Sequence, residues 1–240
     1  MRSQPILVAL MVALLATPAQ GAHTPASVPA SGTLMHLTVD QLPADHVATI
    51  GITRTTYMAG GSLQLETGSG PAVSFVESGA VTVTVQDGGS LIVATGPLEQ
   101  TGTPAAIASG SEVIVTAGNG FLPAPGATVN VRNDGTIPAT VLELFSATDA
   151  EAKPGKGTTQ ALLVRQEATL TEPAATVTLG RVVVEPGDRL PLAAAPAITV
   201  YVAVERGDAF LLSGQGVNRS TKPIAAYILE IAPPETSPPS

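Results

Sequence analysis

Apolar and polar residues alternate with a period of two through most of the chain, the signature of strands with one face buried. Val47–Tyr57, Ser62–Glu66, Val73–Glu77, Ala80–Gln86, Ser90–Thr95 and Glu112–Thr116 all read this way, and Leu34–Leu42 reads as a short first strand. Val, Ile and Thr dominate these runs, as a pleated, half-buried surface requires. Between them fall turn formers: Gly60-Gly61, Gly68-Ser69-Gly70-Pro71, Ser78-Gly79 and Asp87-Gly88-Gly89. No segment makes a convincing helix. Strand follows strand, so the expected fold class is all-β, a barrel or a sandwich.

The chain is organised around Thr116–Phe145, TAGNGFLPAPGATVNVRNDGTIPATVLELF. Two alternating runs flank a Pro/Gly corner, and Asn133-Asp134-Gly135 turns into a third run. Gly96–Ser109 reads as a Gly/Pro/Thr loop, and Ala147–Thr159 as a polar loop, with residues 149–168 taken as a linker. Gly155-Lys156-Gly157-Thr158-Thr159 has the composition of a phosphate loop, but neither its spacing nor a helix to follow. Ala161–Gln166 and Thr176–Glu185 return to strand alternation.

Composition sharpens this picture. Charged residues make up only 12% of the chain, against about 25% in an ordinary soluble domain. The 24 glycines and 21 prolines fit short strands joined by tight turns. Residues 1–21 carry Arg2, the apolar run Ile6–Ala16, then Pro18 and the small residues Ala19 and Gly21, which predicts a secretory signal peptide. The apolar run is too short to span a bilayer. A secreted, extracytoplasmic protein with no membrane attachment after cleavage is expected. Residues 22–44 read as a flexible leader and first strand, and residues 233–240 as a Pro-rich tail. With no cysteine, the fold relies on its core rather than on disulfides. The mature chain keeps 10 basic against 19 acidic residues, which argues against nucleic acid as a partner.

The chain also repeats itself. Ala48–Arg54, followed by Gly60, Leu63 and Leu65, lines up with Ala175–Arg181, followed by Gly187, Leu190 and Leu192, at a constant offset of 127 residues.

Thr116–Phe145 resembles the second sequence motif of the cupin superfamily. Gly118, Gly126 and Asn133 stand at its Gly, Gly and Asn, while Val129 replaces its His. Gly60 and Gly79 fit the ends of the first cupin motif, with Glu66 and Gly68 at its two His positions and Ala72 at its Glu. The later repeat fits the same frame between Gly187 and Gly207, with Ala193, Ala195 and Val200 at the ligand positions. The resemblance implies a cupin-like jelly-roll β-barrel over residues 45–148. A second, shortened cupin-like unit would follow over residues 169–232, making a bicupin with degenerate motifs. Frame glycines supply corners with positive φ and so report the fold, whereas the ligand positions report the chemistry.

Cupin enzymes hold Fe, Mn, Zn or Ni through those His and Glu side chains. Here only Glu66 could donate, and one carboxylate does not hold a transition metal. His23, His36 and His46 lie at no ligand spacing. No cofactor and no metal are expected, and neither a cysteine nucleophile nor a Gly-x-Ser-x-Gly elbow is present. The leading expectation is a metal-free barrel that binds a small molecule at a mouth lined by Glu66, Gly68, Ala72 and Val129. Arg54 and Arg181, at equivalent repeat positions, are candidates for contacting an anion or a strand carboxylate. A metal-independent isomerase, epimerase or lyase is the alternative, using Glu66 with Tyr57, Arg54 or His46. A third reading is a structural module that pairs through edge strands into a homodimer. Asn218-Arg219-Ser220 matches a glycosylation acceptor, a pattern too short to weigh much.

Overall fold

The computed structural model describes residues 31–40, 46–67, 72–87, 89–95, 105–146, 151–170, 174–190, 199–204 and 217–232. All regular elements among them are strands, as the period-two pattern predicts. They are β1 (Gly32–Asp40), β2 (His46–Tyr57), β3 (Ser62–Glu66), β4 (Ala72–Ser78), β5 (Ala80–Asp87), β6 (Leu91–Thr95), β7 (Ala105–Ile107) and β8 (Glu112–Thr116). There follow β9 (Asn119–Pro123), β10 (Thr128–Arg132), β11 (Ala139–Ser146), β12 (Glu151–Pro154), β13 (Thr158–Leu170), β14 (Ala174–Val184), β15 (Thr199–Val204) and β16 (Ile224–Ala232).

The strands form three antiparallel sheets, ordered β13-β2-β11-β4-β9-β6-β7, β12-β3-β10-β5-β8 and β1-β14-β16-β15. None of the three closes on itself into a barrel. The seven-stranded sheet is the middle layer and buries both faces, which is why Ala72–Val76 is buried without interruption. One face packs on the five-stranded sheet through Tyr57, Leu63, Leu65, Val83, Phe121, Val129 and Val141. The other packs on the four-stranded sheet through Ile52, Phe75, Leu142 and Leu144 against Met35, Leu179, Tyr227 and Leu229.

Two expectations need correction. The expected Gly96–Ser109 loop contains β7, paired on β6. The expected linker at 149–168 is instead β12, paired on β3, and most of β13, paired along the whole of β2. All three are edge strands held by backbone ladders, so their side chains need not alternate, and Pro154 is tolerated at the end of an edge. Gly68 and Gly207 and most of the leader and tail fall outside the described residues.

The 127-residue repeat is structural. Asn133 donates from Nδ2 to the Tyr57 carbonyl (3.0 Å) and the Ile137 carbonyl (2.7 Å), and its Oδ1 accepts from the Gly135 N–H (2.8 Å). Asn218 donates to the Val184 carbonyl (2.8 Å) and the Lys222 carbonyl (2.9 Å), and accepts from the Ser220 N–H (2.8 Å). Val184 is the repeat partner of Tyr57. The backbone matches too: Gly60 N–H donates to the Asn133 carbonyl (2.9 Å) as Gly187 N–H does to the Asn218 carbonyl (2.8 Å). Thus β14 repeats β2 and β16 repeats β11, and equivalent residues such as Ile52 and Leu179, or Leu144 and Leu229, meet in the shared core. The chain takes 73 residues from Gly60 to Asn133 but 31 from Gly187 to Asn218, so the second unit is the shorter one. Asn218 is fully buried with its amide nitrogen engaged, so it is a corner residue and not a glycan acceptor in the folded chain.

Gly60, Gly79, Gly118, Gly126 and Gly187 all have positive φ. Two of them separate strain from crowding. At Gly60 (φ +69°) a Cβ would meet nothing within 4 Å. At Gly79 (φ +75°) it would lie 2.9 Å from the Ala139 Cα and 3.0 Å from the Pro138 carbonyl oxygen. Gly79→Ala is therefore expected to cost about 2 kcal/mol or more and Gly60→Ala about 1 kcal/mol. Urea denaturation of both variants checks this; equal losses would mean that backbone strain alone sets the cost.

Candidate functional site

The four positions singled out as a barrel mouth do not share a surface. Val129 on β10 and Ala72 on β4 are fully buried in the core between the seven- and five-stranded sheets. Glu66 lies on the other face of β3 from Leu63 and Leu65. There its Oε1 meets Lys153 Nζ on β12 at 2.6 Å and accepts from Gln64 Nε2 at 3.2 Å. Gly68 is outside the described residues. These positions do not fit a metal, since Ala72 and Val129 offer only methyl groups and Glu66 is turned away, paired with a lysine. Among the described residues no three His, Cys, Asp or Glu side chains gather at one point. His36 Nδ1 sits 2.9 Å from Thr178 Oγ1 across the β1–β14 pair; His23 and the side chain of His46 are not among the described groups.

The acid–base set of Glu66 with Tyr57, Arg54 or His46 is not assembled. Tyr57 faces the five-stranded sheet, Arg54 faces the four-stranded sheet, and Glu66 lies outside both cores. Arg54 instead donates from Nη2 to Glu77 Oε1 (3.0 Å) and to the Tyr227 hydroxyl oxygen (3.2 Å). The Tyr227 hydroxyl donates to Glu77 Oε1. The guanidinium also sits over the Tyr227 ring, 5.6 Å from its centroid. This node ties β2 and β4 of the middle sheet to β16 of the four-stranded sheet, and so serves the strand-carboxylate role that the sequence left open for Arg54. Arg181 lies directly opposite Tyr227 in the β14–β16 register and is partly buried. On the outer face of β10, Arg132 is gripped by Glu112 (2.9 Å) and Asp134 (2.9 Å). The Arg132 hydrogen bonds hold the Glu112 carboxyl below its usual range, and the Thr82 hydroxyl does the same for Asp134. That is an exposed network of little energetic weight.

The middle sheet carries a group that the sequence reading passed over. In β11, Ala139 and Val141 point toward the five-stranded sheet and Leu142 and Leu144 away from it. Glu143 therefore shares the inward face with Val141. It stands opposite Ser74 on β4 and Thr53 on β2. The row continues to Phe121 on β9, opposite Ser74, and to Leu162 on the edge strand β13, opposite Thr53. Ser74 and Phe121 are buried, while Leu162 is 61% exposed. Glu143 is half-buried, and the desolvation pushes its carboxyl above its ordinary range. Burial, and then the charge of Glu143, push the Tyr57 hydroxyl up in turn. A carboxylate on the inward phase of Thr140-Val141-Leu142-Glu143-Leu144, among apolar neighbours, is a signal that the sequence does contain. Such a group costs stability where it sits, which is common where a site binds or reacts.

No family model and no curated protein matches the chain. Among solved structures it is similar to an 11S allergen from Cocos nucifera L., with 11% identity over 82% of this chain and 86% of that one and a TM-score of 0.19. A likeness at that level carries no argument about function.

Proposed function

We propose that this is a secreted, metal-free binding protein that takes a small organic molecule on the inward face of a cupin-like jelly roll. The finer architecture rests on strand order. Within the two larger sheets the runs β2-β11-β4-β9 and β3-β10-β5-β8 interleave as the two halves of a jelly roll do. The repeated Asn corners support a second, shortened unit of the same kind, and the resemblance at Gly60, Gly79, Gly118, Gly126 and Asn133 supports the cupin reading. Export rests on the leader peptide at residues 1–21.

One observation carries the binding role: the row Leu162, Thr53, Glu143, Ser74 and Phe121 sets one carboxylate and two hydroxyls side by side on a largely apolar inner surface. Sites for small molecules are apolar surfaces with a few placed polar groups, which is what this row offers. A fragment screen by NMR on the mature protein tests it. Hits are expected to move the resonances of Thr53, Ser74 and Phe121; a screen whose hits cluster elsewhere, or that yields none, overturns the reading. Metal analysis of the same protein is expected to find less than stoichiometric Fe, Mn, Zn and Ni, with no change in Tm after chelation. A stoichiometric metal would sink the metal-free part.

A further inference from the structure

The binding row is polar at its centre and apolar at both ends. Between Thr53 and Ser74 stands a carboxylate that burial raises above its ordinary range, and no hydrogen-bond or ion-pair partner for it occurs among the described residues. Among the described side chains of the core between these sheets, Tyr57 on β2 is the one other titratable group, and it lacks a charge to neutralise the carboxylate. β3, β5, β8 and β10 present Leu63, Leu65, Val81, Val83, Val85, Val115, Val129 and Val131 to the same interior. A carboxylate in apolar surroundings is stabilised most by an opposite charge brought to it, because the partner offsets desolvation that is already present. Two strands away from Glu143, at the sheet edge, Leu162 presents an apolar side chain to solvent on the same face. Thr53 lies between them.

We infer that the row selects small organic cations, specifically an ammonium group carrying a short alkyl chain, with the charge on Glu143 and the chain lying toward Leu162. This rests on the binding reading above and adds the class of ligand. The ammonium donates to the Glu143 carboxylate and to the hydroxyls of Thr53 and Ser74, while the alkyl chain covers Leu162. An alcohol of equal length keeps the apolar contact but not the charge. A carboxylate of equal length meets like charge.

The test uses the mature protein and its Glu143→Gln variant at pH 8, with n-butylammonium chloride, 1-butanol and sodium butyrate as probes at matched ionic strength. Glutamine keeps the shape of the side chain and removes its charge, so the variant is expected to fold and to melt at or above the wild-type temperature. n-Butylammonium is expected to raise the wild-type Tm by about 3 °C at roughly ten times its Kd, and to leave the variant unmoved. 1-Butanol and butyrate are expected to shift neither protein. An equal shift of both proteins by the ammonium ion overturns the role of Glu143. If 1-butanol protects both proteins as well as the ammonium ion does, the cation preference fails and binding in the interior survives. If none of the three shifts either protein, the cation inference and the interior-binding reading fail together.

Discussion

Asn133→Ala is expected to lower stability by about 3 kcal/mol, and Asn218→Ala by a similar amount. Each side chain is buried and makes three hydrogen bonds to backbone, two donated and one accepted. Truncation leaves two carbonyls and one N–H without these partners, and a buried group left unpaired costs about 1–3 kcal/mol. In a chain of this size the Tm should fall by roughly 6–12 °C. Asn133→Asp is expected to be worse than Asn133→Ala. It keeps the acceptor for Gly135 but sets a carboxylate oxygen against the Tyr57 and Ile137 carbonyls. Calorimetry on the three variants decides this; a loss under about 1 kcal/mol for both alanine variants would mean that the corners are held by backbone alone.

The second large effect is expected at the node joining the layers. Arg54→Ala should cost about 3 kcal/mol, because it leaves Glu77 in a site only one-fifth exposed without its cation. Tyr227→Phe should cost about 2 kcal/mol by removing one hydroxyl that both donates to Glu77 and accepts from Arg54. Arg54→Ala combined with Glu77→Ala should cost less than the two single losses together, with a coupling of about 1–3 kcal/mol. Hydrogen exchange gives an independent readout. Amides of β14 and β16 should lose protection before those of β10 and β5, since the node spans the face between the four- and seven-stranded sheets. Additive single losses with uniform loss of protection would show that the node does not couple the layers.

Much of this fold was legible as alternation. Ser62–Glu66 and Glu112–Thr116 form strands with the bounds that the pattern predicts, because one face of each meets a core and the other does not. The repeat was legible because its corner demands a glycine with positive φ at Gly60 and again at Gly187. β7 and β12 were not legible, since an edge strand needs only its backbone to pair. The partnership of Arg54 with Tyr227 was invisible because it spans 173 residues and depends on how two sheets stack. The corner role of Asn218 was not legible either, because a three-residue pattern carries no information about burial. For the candidate site, the resemblance directed attention to Ala72 and Val129, which structure puts in the core, while Glu143 sat unnoticed in the inward phase of β11.

The shared core between the unequal repeats has a consequence for heredity. β14, β16 and β15 hold the places in their sheet that β2, β11 and β4 hold in theirs, and β14 and β16 press against the outer faces of β2, β11 and β4. The 42 residues by which the second corner-to-corner span falls short are missing from between its corners, while β14 and β16 on either side keep the face that meets Ile52, Leu142 and Leu144. A duplicated copy can be pared back to the surface that its sibling needs covered, and no further without uncovering Ile52, Phe75, Leu142 and Leu144.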